Sequence, residues 1–208
     1  MKIASLTLVL ILNLTFLEKT VLVDQTVDSL EISQEFTQLE EALKAPEKVY
    51  RLNLSNQPFK NLQYLSLRND NLVTIPAEIM TLRNLRVLDL GKNKIQTLPT
   101  DFSKLKNLEE LYLDEEKDFD LFKNFEILGK LPKLKILHLE NDGIQKLPKN
   151  IKKLIHLEQL YLSNNLLQFV PPEVKGLKNL KYLDLNHNKI SIDLPMNQVA
   201  GPSLKIKF

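Results

Sequence analysis

The sequence predicts an α/β solenoid, with a curved parallel β-sheet on the concave face of a stack of coils, irregular or 3-10 segments on the convex face, and a short N-terminal capping helix. Two observations carry this. Six segments spell Leu-x-x-Leu-x-Leu around Leu65, Leu88, Leu111, Leu137, Leu160 and Leu183, in steps of 23, 23, 26, 23 and 23 residues. Four of them are followed at a fixed distance by Ile75-Pro76, Leu98-Pro99, Leu147-Pro148 and Val170-Pro171. Self-similarity at such a period marks stacked coils, each too small to cover its own chain-ordering entropy and stable only through its neighbours.

The chain has 208 residues, enough for one array with its caps. The expected domains are a signal peptide over 1–23, a linker and capping helix over 24–48, the repeat array over 49–196, and a C-terminal cap or tail over 197–208. Residues Ile3 to Leu17 follow Met1-Lys2, hold no charge and end at Glu18. A positive start and an apolar run shorter than the roughly 20 residues that span a bilayer fit an export signal. No small-x-small cleavage site follows, so an uncleaved anchor or an apolar cap on the first coil is the alternative. Phe36, Leu39 and Leu43 then form a stripe at helical spacing, with Ser33 as N-cap and Pro46 as the stop. A first strand is spelled by Val49, Leu52 and Leu54, yet Leu52 to Leu65 is a step of only 13 residues. The connection from Ser55 to Asn61 is shorter than the dozen or so residues a parallel crossover needs, so an abbreviated turn is expected there.

Within each unit the leucines alternate as a strand requires. The next polar position, held by Asp70, Asn93, Asp142, Asn165 and Asn188, suits a short side chain that bonds backbone groups where the chain leaves the strand. The prolines then stop the strand pattern, and Ile79, Phe102, Ile151 and Val174 point back inside from the convex side. The 26-residue unit is expanded over Asp114 to Phe122, the most acidic stretch of the chain. Phe119, Leu121 and Phe122 are expected to fold back in place of the missing Leu-Pro pair. At the far end, Leu204, Ile206 and Phe208 alternate with lysines, which suits an added edge strand, the alternative being a disordered end.

The motif Leu98-Pro99-Thr-Asp-Phe102-Ser-Lys-Leu105-Lys-Asn-Leu108 resembles the 23-residue leucine-rich repeats of bacterial proteins, and equally those of intracellular Ras-related plant and animal proteins. The stretch from Glu40 to Ser55 is similar to the entry sequence of exported bacterial members. The resemblance covers roughly residues 35 to 196 and implies protein binding through the concave sheet, with no catalytic residues carried over. Extracellular animal and plant members commonly carry cysteine-stapled caps, and this chain has no cysteine, which points to a bacterial or intracellular protein. The resemblance and the N-terminal run together give a monomeric, secreted or cell-envelope protein with no membrane span in the mature chain. The alternative is a cytoplasmic scaffold or regulator of small-GTPase signalling.

The position between the last two leucines of each strand lines up Asn53, Ser66, Asp89, Tyr112, His138, Tyr161 and Asp184. With strands about 4.8 Å apart, Tyr112, His138 and Tyr161 form a continuous aromatic stripe. Flanking columns add Glu110 and Tyr182 on one side and Asp114 and Glu140 on the other. Aromatic anchors beside carboxylates suit a protein partner that presents a cationic or amphipathic segment, so these eight residues from Glu110 to Asp184 are the candidate partner-binding set. Catalysis, cofactors and metals have no candidate residues. The three histidines fall in different registers, five glycines leave no phosphate loop, and the acidic insertion lacks the ordered oxygen spacing of a calcium loop. With 28 basic and 26 acidic residues, net charge gives no argument for nucleic acid. Lys104, Lys106, Lys152, Lys153, Lys175 and Lys178 fall on the convex segments and are expected to be solvated.

Overall fold

The computed structural model describes residues 9–11, 35–36, 51–52, 62–190 and 204–208. Three short strands come first: Val9–Ile11 (β1), Glu35–Phe36 (β2) and Arg51–Leu52 (β3). Then follow Tyr64–Ser66 (β4), Val87–Asp89 (β5), Glu110–Tyr112 (β6), Ile136–His138 (β7), Gln159–Tyr161 (β8) and Tyr182–Asp184 (β9), and finally Lys205–Lys207 (β10). Strands β4 to β10 form one parallel sheet in chain order, with Leu65, Leu88, Leu111, Leu137, Leu160 and Leu183 in register. This is the solenoid, and the equal steps around these leucines are what place them side by side. The central leucines of β5 to β9 are fully buried, and a single core runs the length of the row.

On the opposite side the chain makes 3-10 turns at Ala77–Thr81, Thr100–Lys104, Lys149–Lys153 and Pro172–Gly176, each begun after a proline. The proline is extended and gives no N–H, which suits a position where a helix begins and no donor is needed. Each turn closes when the N–H of Leu82, Leu105, Leu154 or Leu177 donates to the carbonyl three residues back. Phe102, Ile151 and Val174 are thereby buried.

The 26-residue unit is different. It replaces the 3-10 turn with an α-helix, Leu121–Leu128 (α1), begun by Asp120, whose carboxylate accepts from the Lys123 N–H, and stopped at Gly129. Phe125, Ile127 and Leu128 fill the core, while Phe119 and Leu121 pack at its margin. Phe122 does not fold back, being 59% exposed, because it lies on the side of α1 opposite the fully buried Asn124. Asn124 is fully buried and ties α1 to the preceding coil: its carbonyl accepts from the Leu98 N–H and its amide donates to Gln96 O.

At the N-terminal end, β3 does not join the main sheet and pairs in parallel with β2. Phe36, expected in the helical stripe, is therefore in a strand, and the rest of that helix and the 53–61 part of the short step lie outside the described residues. Strand β1, inside the run expected as an export signal, pairs antiparallel with β4.

The coils are tied by a second row of polar side chains where each strand ends. The residue before each of these takes a left-handed conformation (Asn69, Lys92, Glu115, Asn141, Asn164 and His187, φ 54 to 65°), which turns the next side chain inward. Asn93 accepts from the N–H groups of Asp70 and Leu72 in the preceding coil, at 3.0 Å each, and donates to Leu67 O and Leu90 O. Asn165 repeats this with Asp142, Ile144, Leu139 and Leu162, and Asn188 with Leu167, Leu162 and Leu185. An amide is suited to this row because it both accepts and donates.

Acids hold two of the intervening places. Glu116 accepts from the Asn93 and Ile95 N–H groups, and Asp142 Oδ1 from the Glu116 N–H, but Asp142 Oδ2 is buried with no hydrogen bond. Burial pushes Glu116 up to about 7 against the pull of its two backbone donors, and Asp142 up to about 8, with the neighbouring acids Asp114, Glu116 and Glu140 adding to the rise. A raised acid keeps its proton on folding, so its stabilising share is complete below the unfolded value near about 4 and is lost as pH rises through the folded value. Asp142→Asn restores the donor and removes the charge. Urea unfolding should show the variant more stable than the parent by ~1–2 kcal/mol at pH 8 and by less at pH 5. An equal or smaller gain at pH 8 than at pH 5 would contradict this assignment.

Candidate functional site

The sheet face opposite the core carries the aromatic column. Because β6, β7 and β8 pair with Tyr112, His138 and Tyr161 in register, one backbone spacing sets the rings face to face. Tyr112 and His138 stack with centroids 3.9 Å apart and planes 10° apart, and His138 and Tyr161 with 4.3 Å and 7°. Tyr182, from the flanking column of β9, leans onto Tyr161 at 5.4 Å and 49°. The rings turn their faces to one another, so the expected aromatic stripe offers a ridge of ring edges and hydroxyls.

The hydroxyls are held by residues two positions away on the same strand. Tyr112 donates to Glu110 Oε1 at 2.7 Å, Tyr161 to Gln159 Oε1 at 2.9 Å, and Tyr182 to Asp184 Oδ2 at 3.3 Å. Burial first, then the Glu110 carboxylate, pushes the Tyr112 phenol up. Both ring nitrogens of His138 face carboxylates: Nε2 lies 3.1 Å from Glu110 Oε1 and Nδ1 3.5 Å from Glu140 Oε1. Burial pulls the His138 pKa down, but the bonds and charges of Glu140 and Glu110 outweigh it and the net shift is upward.

The expected acids divide into two kinds. Glu110 and Glu140 are half-buried beside the ridge, with Glu140 Oε2 buried and without a hydrogen bond. Asp114 and Asp184 are buried and committed inside the chain. Asp184 accepts from the Asn186 N–H and amide and lies 3.6 Å from Lys207 Nζ. Asp114 takes both arms of the Arg68 guanidinium, at 3.0 and 2.5 Å, and Arg68 also reaches Glu115 at 3.0 Å and Asp89 at 3.5 Å. A forked, two-armed pair of this kind is the strong form of a charge-assisted bond. It holds Arg68 charged, its pKa raised chiefly by the bond to Asp114.

Gly91 makes the Arg68 contact possible. Arg68, Gly91 and Asp114 occupy one column of three successive strands, and a Cβ on Gly91 would lie 2.3 Å from Arg68 Nη1 and 2.8 Å from Asp114 Oδ1. The guanidinium therefore lies over the bare glycine. This column was legible in the sequence, where a glycine stands between an arginine and an acid at equal spacing.

Among the described residues no group of three or more histidine, cysteine or acidic side chains could hold a metal. His156 and His187 lie away from the ridge; His187 serves as a left-handed turn residue (φ 54°). A cleft of about 990 Å³ opens between the first two 3-10 turns, lined by Ile75, Met80, Arg83, Pro99 and Lys104 among others. On the same side Lys104 pairs with Asp101 and Lys153 with Glu126. No described helix is long and apolar enough to cross a membrane.

Gly91→Ala should displace the guanidinium and expose Asp114. The expected loss is ~1–3 kcal/mol by urea unfolding, the range for parting one partner of a charge-assisted bond. In a chain that already carries Arg68→Ala, the same glycine substitution should cost much less. Additive effects of the two substitutions would contradict the contact.

The leucine rich repeat model matches residues 60–117 and 132–190. A leucine-rich repeat protein of Leptospira interrogans is similar at 26% identity and a TM-score of 0.51, over 84% of this chain and 58% of that one. The Toll–Spätzle complex of Drosophila gives a TM-score of 0.61 at 23% identity, over 83% of this chain and 25% of that one, a likeness of fold. The chain thus spans less than two thirds of the length of either. No curated protein sequence matches significantly. Repeats of this kind are generally non-enzymatic protein-binding folds, and the match to more than half of the residues places the chain in the leucine rich repeat family.

Proposed function

We propose that this protein recognises a protein partner through the sheet face, with the ridge of Tyr112, His138, Tyr161 and Tyr182 at the centre of the contact and Glu110 and Glu140 as its charge complement. The observation that carries the reading is the stack itself. Four rings from four strands, with their hydroxyls oriented, form a surface already ordered before binding, which removes part of the entropy that association must otherwise cover. Tyrosine gives large contact area with few rotatable bonds and is enriched where binding energy concentrates. Glu110 and Glu140, part-exposed beside the ridge, favour a partner with a cationic side chain. Asp114 and Asp184 act from beneath, by fixing Arg68 and the β9 exit.

We further propose an exported bacterial protein. The charge-free run after Lys2 and the likeness to the Leptospira protein support this. The pairing of β1 with β4 sets an alternative for the same segment, a retained cap. N-terminal sequencing of protein recovered outside the producing cell separates them: a start beyond residue 17 fits a signal, an intact Met1 fits a cap.

Partner capture on the folded array, followed by Tyr112→Ala with Tyr161→Ala, tests the surface. With the unfolding midpoint still cooperative, affinity for the captured partner should fall by about 30-fold or more, the scale of two binding hot spots. Lys178→Ala, on the other side of the coils, should leave it unchanged. Retained affinity in the double tyrosine variant would remove this surface from consideration.

A further inference from the structure

The polar groups around His138 are satisfied together in only one protonation state. Near-parallel rings stack in offset fashion whatever their charge. A cation between two such faces is attracted to both. His138 lies between Tyr112 and Tyr161 with planes only 10° and 7° apart. Its two nitrogens also face acceptors alone, Glu110 from β6 and Glu140 from the exit of β7. A neutral imidazole has one N–H and would turn a lone pair toward one of the carboxylates; an imidazolium satisfies both. Hydrogen bonding therefore selects the imidazolium, and the stack on either side favours that cation further.

We propose that His138 is a proton-operated clasp of the recognition face, and that protons and a partner's cationic side chain compete for the same two carboxylates, Glu110 and Glu140. This rests on the reading of the ridge as the partner-binding surface. With the proton on, Glu110 and Glu140 are neutralised from within and the three rings are held as one body. With the proton off, the central attraction is lost and the two carboxylates, half-buried and 21 to 23% exposed at their side chains, face a ring that can no longer answer both. An arginine or lysine of a partner can then take that place. Arg68 shows what such a cation does one column away, where it gathers Asp89, Asp114 and Glu115. The charged and titratable groups that face His138 are Glu110 and Tyr112 on β6, Glu140 after β7, and Tyr161 on β8, so the net field around it is negative.

The direction in pH follows. A histidine stabilised as its cation in the folded chain contributes fully below its unfolded value near about 6.5, and that contribution is lost as pH rises through its higher folded value. Partner cations are then bound more tightly on the alkaline side of His138 and released on the acid side, unlike a simple surface pair, whose strength changes only when its carboxylates titrate near about 4.

Proton NMR of the full chain tests this without a natural partner. His138→Gln assigns the resonance among the three histidines. In the parent chain the His138 ring should titrate above about 6.5, and Glu110→Gln and Glu140→Gln should each lower its midpoint by about half a unit or more, with the near-ultraviolet dichroism of the tyrosines following the same midpoint. Hexaarginine serves as the cationic probe. It should bind at least about fivefold more weakly at pH 5.5 than at pH 8 in the parent, and this dependence should flatten in His138→Gln. A midpoint at or below about 6.5, a midpoint indifferent to both glutamines, or equal pH dependence of probe binding in parent and His138→Gln would each overturn the clasp. Those results leave protein recognition by the ridge standing, whereas failure of the tyrosine variants to lose the captured partner leaves the titration unaffected.

Discussion

One constraint governs this molecule: each time the chain leaves the sheet it buries backbone donors and carbonyls that no strand or helix can pair, and a side chain from the next coil must pair them. Asn93, Asn165 and Asn188 do so with the same geometry, Glu116 does so in the one coil of different length, and Asn124 pairs the Gln96 and Leu98 backbone further along, from α1. A buried polar group left without a partner costs about 1–3 kcal/mol, so the positions of these side chains fix the register of every coil. The leucines provide the driving force and keep one face of each strand inward; the polar row adds hydrogen bonds that join each coil to the next.

Register in turn makes the surface. Tyr112, His138 and Tyr161 touch because β6, β7 and β8 are aligned residue for residue, and a slip of one place would send each ring into the core. The insertion in the 26-residue unit lies between β6 and β7, yet it leaves the stack intact because its extra residues are absorbed by α1 on the opposite side. The left-handed residues at the strand exits, including Lys92, Glu115 and His187, carry a conformational strain of their own. They persist because the polar row depends on the turn they make. The two acids in that row, Glu116 and Asp142, carry the same logic into pH: they fit best with their protons on, and so does His138 on the face above. Core and surface are both tightened toward mildly acid conditions. The exposed pairs Arg86–Glu109 and Lys181–Glu158, whose carboxylates are held down chiefly by their hydrogen bonds to the cations, weaken only as pH falls through the carboxylate range.

Much of this was legible in the leucines. Their spacing defines the columns, and the columns place the aromatic stripe and the Arg68–Gly91–Asp114 row. Harder to see was how the stripe would be used: sequence gives three rings on adjacent strands, whereas the plane angles that turn anchors into a ridge depend on side-chain rotation. Helix α1 had a signal that the repeat pattern masked. Asp120 as N-cap, Leu121, Phe125 and Leu128 at helical spacing, and Gly129 as the stop outweigh the fold-back expected of Phe122. The acids Asp114 and Asp184 looked free because burial at a strand end depends on the neighbouring coil's loop. The pairing of β3 with β2 followed from no periodicity, since a two-residue strand carries too little pattern.

Amide hydrogen exchange tests the governing constraint most directly. The N–H groups of Leu72, Ile95, Ile144 and Leu167 lie in turns with side-chain acceptors from the next coil. If those acceptors hold the row together, these amides exchange as slowly as those of the central strands and open only with global unfolding. Exchange at the rate of the exposed loops, with the strands still protected, would show that the coils are held by their leucines alone and contradict the account.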